Sequence, residues 1–428
     1  MRVLMFGWEF PPHISGGLGT ACYGLTKGIA HIPDLDVIFV VPKAFGDEDQ
    51  STMQLVGANK VPIKHRKLNV SQFSKTLDYI EVSSKLVPYV DPDEFWKLQS
   101  YEVSTMHKFV QTDESGLVQF TGTYGPNLLK EIADYAIIAN LIAQDHEFDI
   151  IHAHDWLTYP AGIAAKEATG KPLVVHVHAT DFDRSGGSVN PTVYEIEKRG
   201  MEAADKVITV SNLTRNIVIE KYGIPEDKVV TVYNAVEPNH NEIPVPFQKK
   251  VGEKIVTFLG RITMQKGPEY FIEVANAVLK RVDNVRFVMA GSGDMMEKMI
   301  RRAASLNITD KFHFTGFLKG DDVFHMLRMS DLYVMPSVSE PFGISPLEAM
   351  QSSVPVLISN QSGVAEILTY AIKTNFWDIE AMADAIHGIV SYPALSKMFI
   401  KHGKEEVDSL KWENSARKVK LVYDSVLP

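Results

Sequence analysis

Short apolar, β-branched runs alternate with stretches of helical spacing along the whole chain, and this alternation constrains the fold more than any other feature. In the first half the expected strands are Val3–Gly7, Val37–Val41, Asp149–Ala153, Leu173–His178, Lys206–Val210 and Val229–Tyr233. In the second half they are Ile255–Leu259, Val285–Ala290, Lys311–Gly316, Leu332–Met335 and Val354–Ile358. Most of these runs are apolar at successive positions, so both faces of each strand need cover, as in parallel sheets flanked by helices. The expected fold class is therefore α/β, with doubly wound parallel sheets.

A chain of 428 residues is too long for one core and suggests two domains of roughly 200 residues each. The proline-rich, polar stretch from Glu237-Pro238 to Pro244-Val245-Pro246 reads as the linker. That places an N-terminal domain at 1–240, a second at 245–410 and a closing segment at 411–428. Tandem α/β domains usually leave a cleft, with ligands at the carboxyl ends of the strands. Residues about 44–130 interrupt the first domain with polar sequence carrying Tyr89, Phe95, Trp96, Tyr101 and Phe109. This insertion either contacts an acceptor or partner, or forms a solvated excursion with its own small apolar cluster.

Composition excludes several classes. With 45% hydrophobic and 22% charged residues the chain is not disordered. A net charge of −10 and no basic run argue against nucleic acid as a partner. The single cysteine, Cys22, forms no internal disulfide and no Cys-Cys zinc pair. No apolar run reaches the ~18 residues of a membrane span, and Met1–Phe6 lacks the pattern of a signal peptide. The expectation is a soluble, cytoplasmic enzyme whose oligomeric state the sequence does not reveal.

Four constellations carry chemistry. Gly16-Gly17-Leu18-Gly19 follows the first strand and leads into helical spacing over Ala21–Ala30, where backbone N–H groups meet phosphates; a tight turn would use the same glycines. Gly260-Arg261-Ile262-Thr263-Met264-Gln265-Lys266-Gly267 follows the first strand of the second domain. There Arg261 offers a planar fork and Lys266 a compact charge to a leaving diphosphate. The third, Ser339 to Glu348, sets two carboxylates across a loop-to-helix transition. Glu340 can accept bonds from sugar hydroxyls, and the N–H groups of Gly343 and Ile344 can meet a phosphate. Glu348 has a structural alternative, because Ser345-Pro346-Leu347-Glu348 has the spacing of a capping box.

The fourth set is His152-Ala153-His154-Asp155-Trp156 with His176-Val177-His178-Ala179-Thr180-Asp181. Each histidine pair faces one way on its strand. Buried core histidines are the expectation and no metal is assigned. His154 and Asp181 are read as polar groups for a substrate, with Asp155 and His178 as further acceptor or sugar-binding candidates. Two glycine patterns fail as dinucleotide fingerprints: Gly291-Ser292-Gly293 is followed by Met296, and Gly17-Leu18-Gly19 by Cys22, where a third glycine belongs.

These ordered motifs resemble those of retaining glycosyltransferases of the GT-B fold: Gly-Gly-Leu after strand one, His-Asp-Trp in domain one, Gly-Arg…Gln-Lys-Gly opening domain two, and Glu-x7-Glu near the end. The glycogen and starch synthases and the family 4 glycosyltransferases are the most similar groups, over the whole chain outside the insertion. The resemblance implies two Rossmann-like domains facing a cleft, with the helix near Trp412 crossing back to domain one. It implies that Gly17 and Leu18 offer N–H groups to the donor phosphates and that Arg261 and Lys266 stabilise the departing diphosphate. Glu340 would hold hydroxyls of the transferred sugar, while Gly343 and Ile344 contact sugar or phosphate. Glu348 would bind the ribose, and His154 would hydrogen-bond the sugar.

Such enzymes need no metal or other cofactor, the nucleotide sugar being a co-substrate. Bacterial ADP-glucose-using synthases carry Lys-x-Gly-Gly-Leu, whereas here Ile14 and Ser15 precede the glycines. The implied reaction is transfer of glucose from ADP- or UDP-glucose to the non-reducing end of an α-1,4-glucan. The alternatives are a family 4 enzyme making another glycoside or surface polysaccharide, a sugar-nucleotide epimerase, which would act on donor alone, and a non-catalytic glucan-binding regulator, which would bind no nucleotide sugar.

Overall fold

The computed structural model describes residues 1–14, 16–63, 113, 115–238 and 252–427. Ser15, the linker from residue 239 and the aromatic residues from Tyr89 to Phe109 lie outside the described residues. Two compact units are present. The first comprises Met1–Phe182, Ser188–Asn234 and Trp412–Pro428, and the second Asp183–Gly187 and Ala235–Lys411.

The first unit is built on a seven-stranded parallel sheet in the order β3-β2-β1-β4-β5-β6-β7. Its strands are β1 (Arg2–Phe6), β2 (Asp36–Val41), β3 (Gln54–Gly57), β4 (Ile150–His154), β5 (Leu173–Val177), β6 (Lys206–Thr209) and β7 (Val229–Thr231). The central strands β4 and β5 are buried at every position. The uniform apolar pattern required this. Helix α1 (Gly17–Ala30) follows β1, α2 (Leu128–Asp145) precedes β4, and α3 (Tyr159–Thr169) follows it.

The second unit has a six-stranded parallel sheet in the order β10-β9-β8-β11-β12-β13. Here β8 is Lys254–Leu259, β9 Val285–Ala290, β10 Phe312–Gly316, β11 Leu332–Met335, β12 Val356–Ser359 and β13 Ile372–Thr374. Every strand expected from the sequence is present. The two that were not expected, β3 and β13, are edge strands of four and three residues. An edge strand pairs on one side only and needs less apolar sequence to hold its place.

In both sheets the strand order reverses between two neighbours, β1 and β4 in one and β8 and β11 in the other. At such a reversal the loops leaving the two strands diverge, and groups on them converge on the space above the carboxyl edge. The glycine-rich loop and the His-Asp-Trp segment follow β1 and β4. The Arg261–Lys266 loop and the Glu340 loop follow β8 and β11.

The closing helix α4 (Trp412–Asp424) belongs to the first unit and packs on α1. Trp412 fills a notch made by two glycines. A Cβ on Gly24 would lie 2.2 Å from the Trp412 ring, and one on Gly28 2.5 Å from its carbonyl oxygen.

Candidate active site

The second unit brings its motif residues together. Strand β8 ends at Leu259, and the loop that follows is pinned to the end of β9: Gly260 N–H donates to Ala290 O at 3.0 Å and Ile262 N–H to Ser292 O at 2.8 Å. This contact explains Gly291 and Gly293. A Cβ on Gly291 would stand 1.8 Å from Gly260 O, and one on Gly293 2.4 Å from Ile262 O. The glycines that fail as a dinucleotide fingerprint instead admit the backbone that carries Arg261. The Arg261 guanidinium reaches Gln265 Oε1 at 3.5 Å.

Two further contacts join this loop to the one after β11. Val338 N–H donates to Gln265 O at 2.9 Å. Gly267 takes a left-handed conformation (φ 67°) with its Cα so close to Pro336 that a Cβ would lie 2.0 Å from the carbonyl oxygen. On that frame the Lys266 ammonium donates to a Glu340 carboxylate oxygen, forming an ion pair. Glu340 is 6% exposed. Its backbone is held from the far side by Gln361 O, which accepts its N–H, and by Gly363, whose N–H donates to Glu340 O, both at 2.9 Å. Ser337 Oγ also donates to the carboxylate, at 3.4 Å.

Beyond Glu340 the chain turns at Gly343 (φ 101°) into the short helix Ser345–Gln351. The N–H groups of Gly343 and Ile344 donate to no partner among the described residues. The capping box expected at Ser345 is absent. Ile344 occupies the N-cap position, Ser345 is the first helical residue, and no side chain caps the end. Shifted by one residue, Ser345 cannot reach the N–H that a capping hydroxyl would bind. Glu348 is thus released from that structural role, and its carboxylate has no hydrogen-bond or ion-pair partner among the described residues. Burial pushes its pKa up to about 7.

Tyr333 on β11 was missed by sequence reasoning because it reads as one more apolar strand residue. It is buried, and its hydroxyl donates to Leu259 O at 3.3 Å. Desolvation raises its pKa, and the charges of Glu340 and Glu348 add to the rise, so the phenol lies within their field. Gln265 and Ser337 were missed as well, and no spacing rule would have identified them.

In the first unit, Gly17 and Leu18 open α1, and their N–H groups have no partner among the described residues. Gly19 donates to Glu9 Oε1 at 3.2 Å, and a Cβ there would strike Ile14 at 2.3 Å. Gly17 has open space where a Cβ would be. On the sheet, His154 pairs in register with His176. The rings of His152, His154, His176 and His178 lie against one another, with neighbouring centroids 4.2 to 5.4 Å apart. Burial drives His152, His154 and His176 well below the usual histidine range, with neighbouring imidazoles adding to the shift, so these rings are neutral. His154 Nδ1 is 2.9 Å from His178 Nε2, and His152 Nδ1 is 2.6 Å from the Tyr423 hydroxyl on α4.

Two of the residues expected to contact sugar also carry structural bonds. Asp155 Oδ1 accepts from the N–H groups of His178 (2.9 Å) and Ala179 (3.3 Å), tying the end of β4 to that of β5. Asp181 Oδ2 accepts from Asn190 N–H at 2.5 Å. Both aspartates are buried.

Residues 109–240 match the model described as Glycosyltransferase Family 4, and residues 239–406 the one described as Glycosyl transferases group 1. The fold is GT-B, and both models that match the chain are models of glycosyltransferases. An uncharacterized glycosyltransferase of Methanocaldococcus jannaschii is 27% identical, with 99% of this chain and 98% of the relative covered. The glycogen synthase of Mycobacterium tuberculosis is 23% identical over 99% of this chain and 94% of its own. Among solved structures, sucrose-phosphate synthase of Thermosynechococcus elongatus superposes with a TM-score of 0.69 at 16% identity, covering 99% of this chain and 98% of that one. Anabaena HepE in complex with UDP-glucose gives 0.62 at 14%, covering 99% and 100%. No helix among the described residues is long and apolar enough to cross a membrane.

Proposed function

We propose that this glycosyltransferase transfers glucose, with retention, from a nucleotide-glucose to the non-reducing end of an α-1,4-glucan. The observation that carries the donor half is the Lys266–Glu340 ion pair, on the loop that also carries Arg261 and just before the N–H groups of Gly343 and Ile344, which have no partner among the described residues. In the reaction Lys266 turns from Glu340 to the diphosphate, and Glu340 is freed to accept hydroxyls of the sugar. As the bond from C1 to the diphosphate oxygen breaks, the leaving group takes the electron pair. Arg261 and, once turned, Lys266 stabilise the growing charge, which is electrostatic catalysis. The acceptor hydroxyl oxygen bonds to C1 on the same face, and its proton passes to the departing diphosphate oxygen. The cations make a metal at the diphosphate unnecessary.

Glu348 serves the ribose. The roles implied for Gly17, Leu18 and His154 on the first unit remain part of the proposal, as do the acceptor or sugar contacts of Asp155, His178 and Asp181, the two aspartates holding backbone N–H groups as well. The glucan acceptor rests on the full-length likeness to a glycogen synthase, and the nucleotide-glucose donor on the likeness to a chain solved with UDP-glucose. Ile14, where ADP-glucose-using synthases resembling this chain carry a lysine, leaves UDP- and ADP-glucose as the two donors to compare.

The test is nucleotide release from UDP-, ADP- and GDP-sugars, with and without glycogen primer. Release from one glucose donor, dependent on primer and lost in Glu340→Ala, is the expected result. Turnover of a donor that ignores glycogen would overturn the acceptor and favour another glycoside.

A further inference from the structure

The histidine face of the first sheet carries buried, unpartnered ring nitrogens that the proposed sugar contact of His154 does not account for. His152 and His154 lie two apart on β4, and His154 is in register with His176 on the parallel neighbour β5. All three side chains therefore project from one face of the sheet. Each offers a ring nitrogen within 4.8 Å of the other two, and all three rings are 0–2% exposed.

A satisfied core histidine has partners for both nitrogens, and these do not. His152 Nε2, His154 Nε2 and both nitrogens of His176 are buried with no hydrogen-bond partner. Leaving a buried polar atom unpaired costs about 1–3 kcal/mol, so four in one cluster call for a ligand. The pattern of the remaining bonds is specific. His152 and His154 each engage Nδ1, with Tyr423 and His178 respectively, and each leaves Nε2 open. A metal-ligating histidine has this arrangement, with one nitrogen on the ion and the other oriented by an outer hydrogen bond.

We propose that His152, His154 and His176 form a binding site for one borderline transition-metal ion, of which Zn²⁺ is the best fit. Three imidazoles with no carboxylate in the set select zinc, copper or nickel over magnesium and calcium. Zinc–nitrogen bonds of ~2.0–2.1 Å require the rings to turn out of their stacked arrangement and draw their nitrogens closer than the present spacing, and three protein ligands leave a fourth position open. Cys22 with His154 and His178 is a second geometric set. It is the weaker one, because His178 Nε2 is engaged by His154. His154 also belongs to the sugar contact proposed above, and to that extent an ion and the donor compete.

The experiment is titration of the metal-free full chain with Zn²⁺ by calorimetry and with Co²⁺ by visible absorption. One equivalent is expected to bind, and His176→Asn to weaken it by about 10- to 100-fold, while His13→Asn, outside the cluster, leaves it unchanged. Lys266→Ala is expected to lose donor turnover yet retain the metal, so failure of the donor reading and failure of this one are distinct. No stoichiometric binding, or equal binding by His176→Asn, would overturn the proposal. If His176→Asn does not fold, the Co²⁺ spectrum of the unaltered chain decides. Intense tetrahedral bands without thiolate charge transfer support the three histidines. A weak octahedral spectrum, or a thiolate band from Cys22, overturns them.

Discussion

Lys266 and Glu340, 74 positions apart in the chain, form an ion pair above the carboxyl edges of β8 and β11. Neither strand could provide it alone. The pair exists because the sheet order reverses between these two strands and Val338 fastens one loop to the other.

Removing one partner leaves a mostly buried charge unpaired, which costs more than losing the pair's own attraction. Lys266→Ala is expected to lower stability by about 3 kcal/mol, the low end for a buried pair because the lysine is partly exposed, and to abolish donor turnover. The double variant Lys266→Met/Glu340→Gln is expected to regain most of the stability and none of the turnover. Thermal unfolding and nucleotide release read the two effects separately.

Glu348 imposes a pH dependence. Its folded pKa of about 7 lies above the ordinary value of 4.5, so the folded chain binds this proton more readily than the unfolded one. Stability contributed through this group falls as pH rises from about 4.5 to about 7 and is constant above. If the ionised carboxylate holds the ribose, donor affinity rises across the same interval, by up to tenfold per pH unit. Glu348→Gln is expected to flatten both curves, as donor titrations and melts between pH 5.5 and 8.5 (roughly 1.5 units either side of 7) would show.

The two glycine-rich loops are expected to answer alanine differently. At Gly291 a Cβ would meet Gly260 O at 1.8 Å, so Gly291→Ala must displace the Arg261 loop, losing both stability and donor affinity. At Gly17 a Cβ meets open space in the first turn of α1. Gly17→Ala is expected to raise stability by about 0.5–1 kcal/mol while lowering donor affinity, since the methyl stands where a phosphate would approach. Unchanged donor affinity in Gly17→Ala would remove that glycine from the phosphate site.

Trp412 and Gly24 are expected to be coupled. Trp412→Ala opens a cavity against α1 and costs about 3–5 kcal/mol, and Gly24→Ala clashes with the indole ring. With the indole gone the methyl partly fills the space, so the double variant is expected to be less destabilised than the sum of the two. A double-mutant cycle by denaturant unfolding measures the coupling.

The fold was legible because both-face burial leaves a mark on every central strand. The edge strands β3 and β13 left a faint one, being short and half-paired. At the site, Arg261, Lys266, Glu340 and the Gly343–Ile344 turn could be identified from residue type at strand ends. The capping box at Ser345 could not be settled that way, since a one-residue shift in helix start decides it and costs the sequence pattern nothing. Tyr333 was invisible for the opposite reason, since a buried phenol in a strand looks like any other core residue until the charges near its hydroxyl are placed.

The sequence by itself determined two parallel α/β sheets and which loops carry charge, because strand burial and loop chemistry are local properties. Only the tertiary structure decided that Lys266 meets Glu340, that Gly291 makes room for Gly260, and that four histidines stack on one face. Each of these is a distance between groups on different strands, and in the first case the strands, β8 and β11, are neighbours in the sheet but not in the chain; no local pattern encodes such a distance.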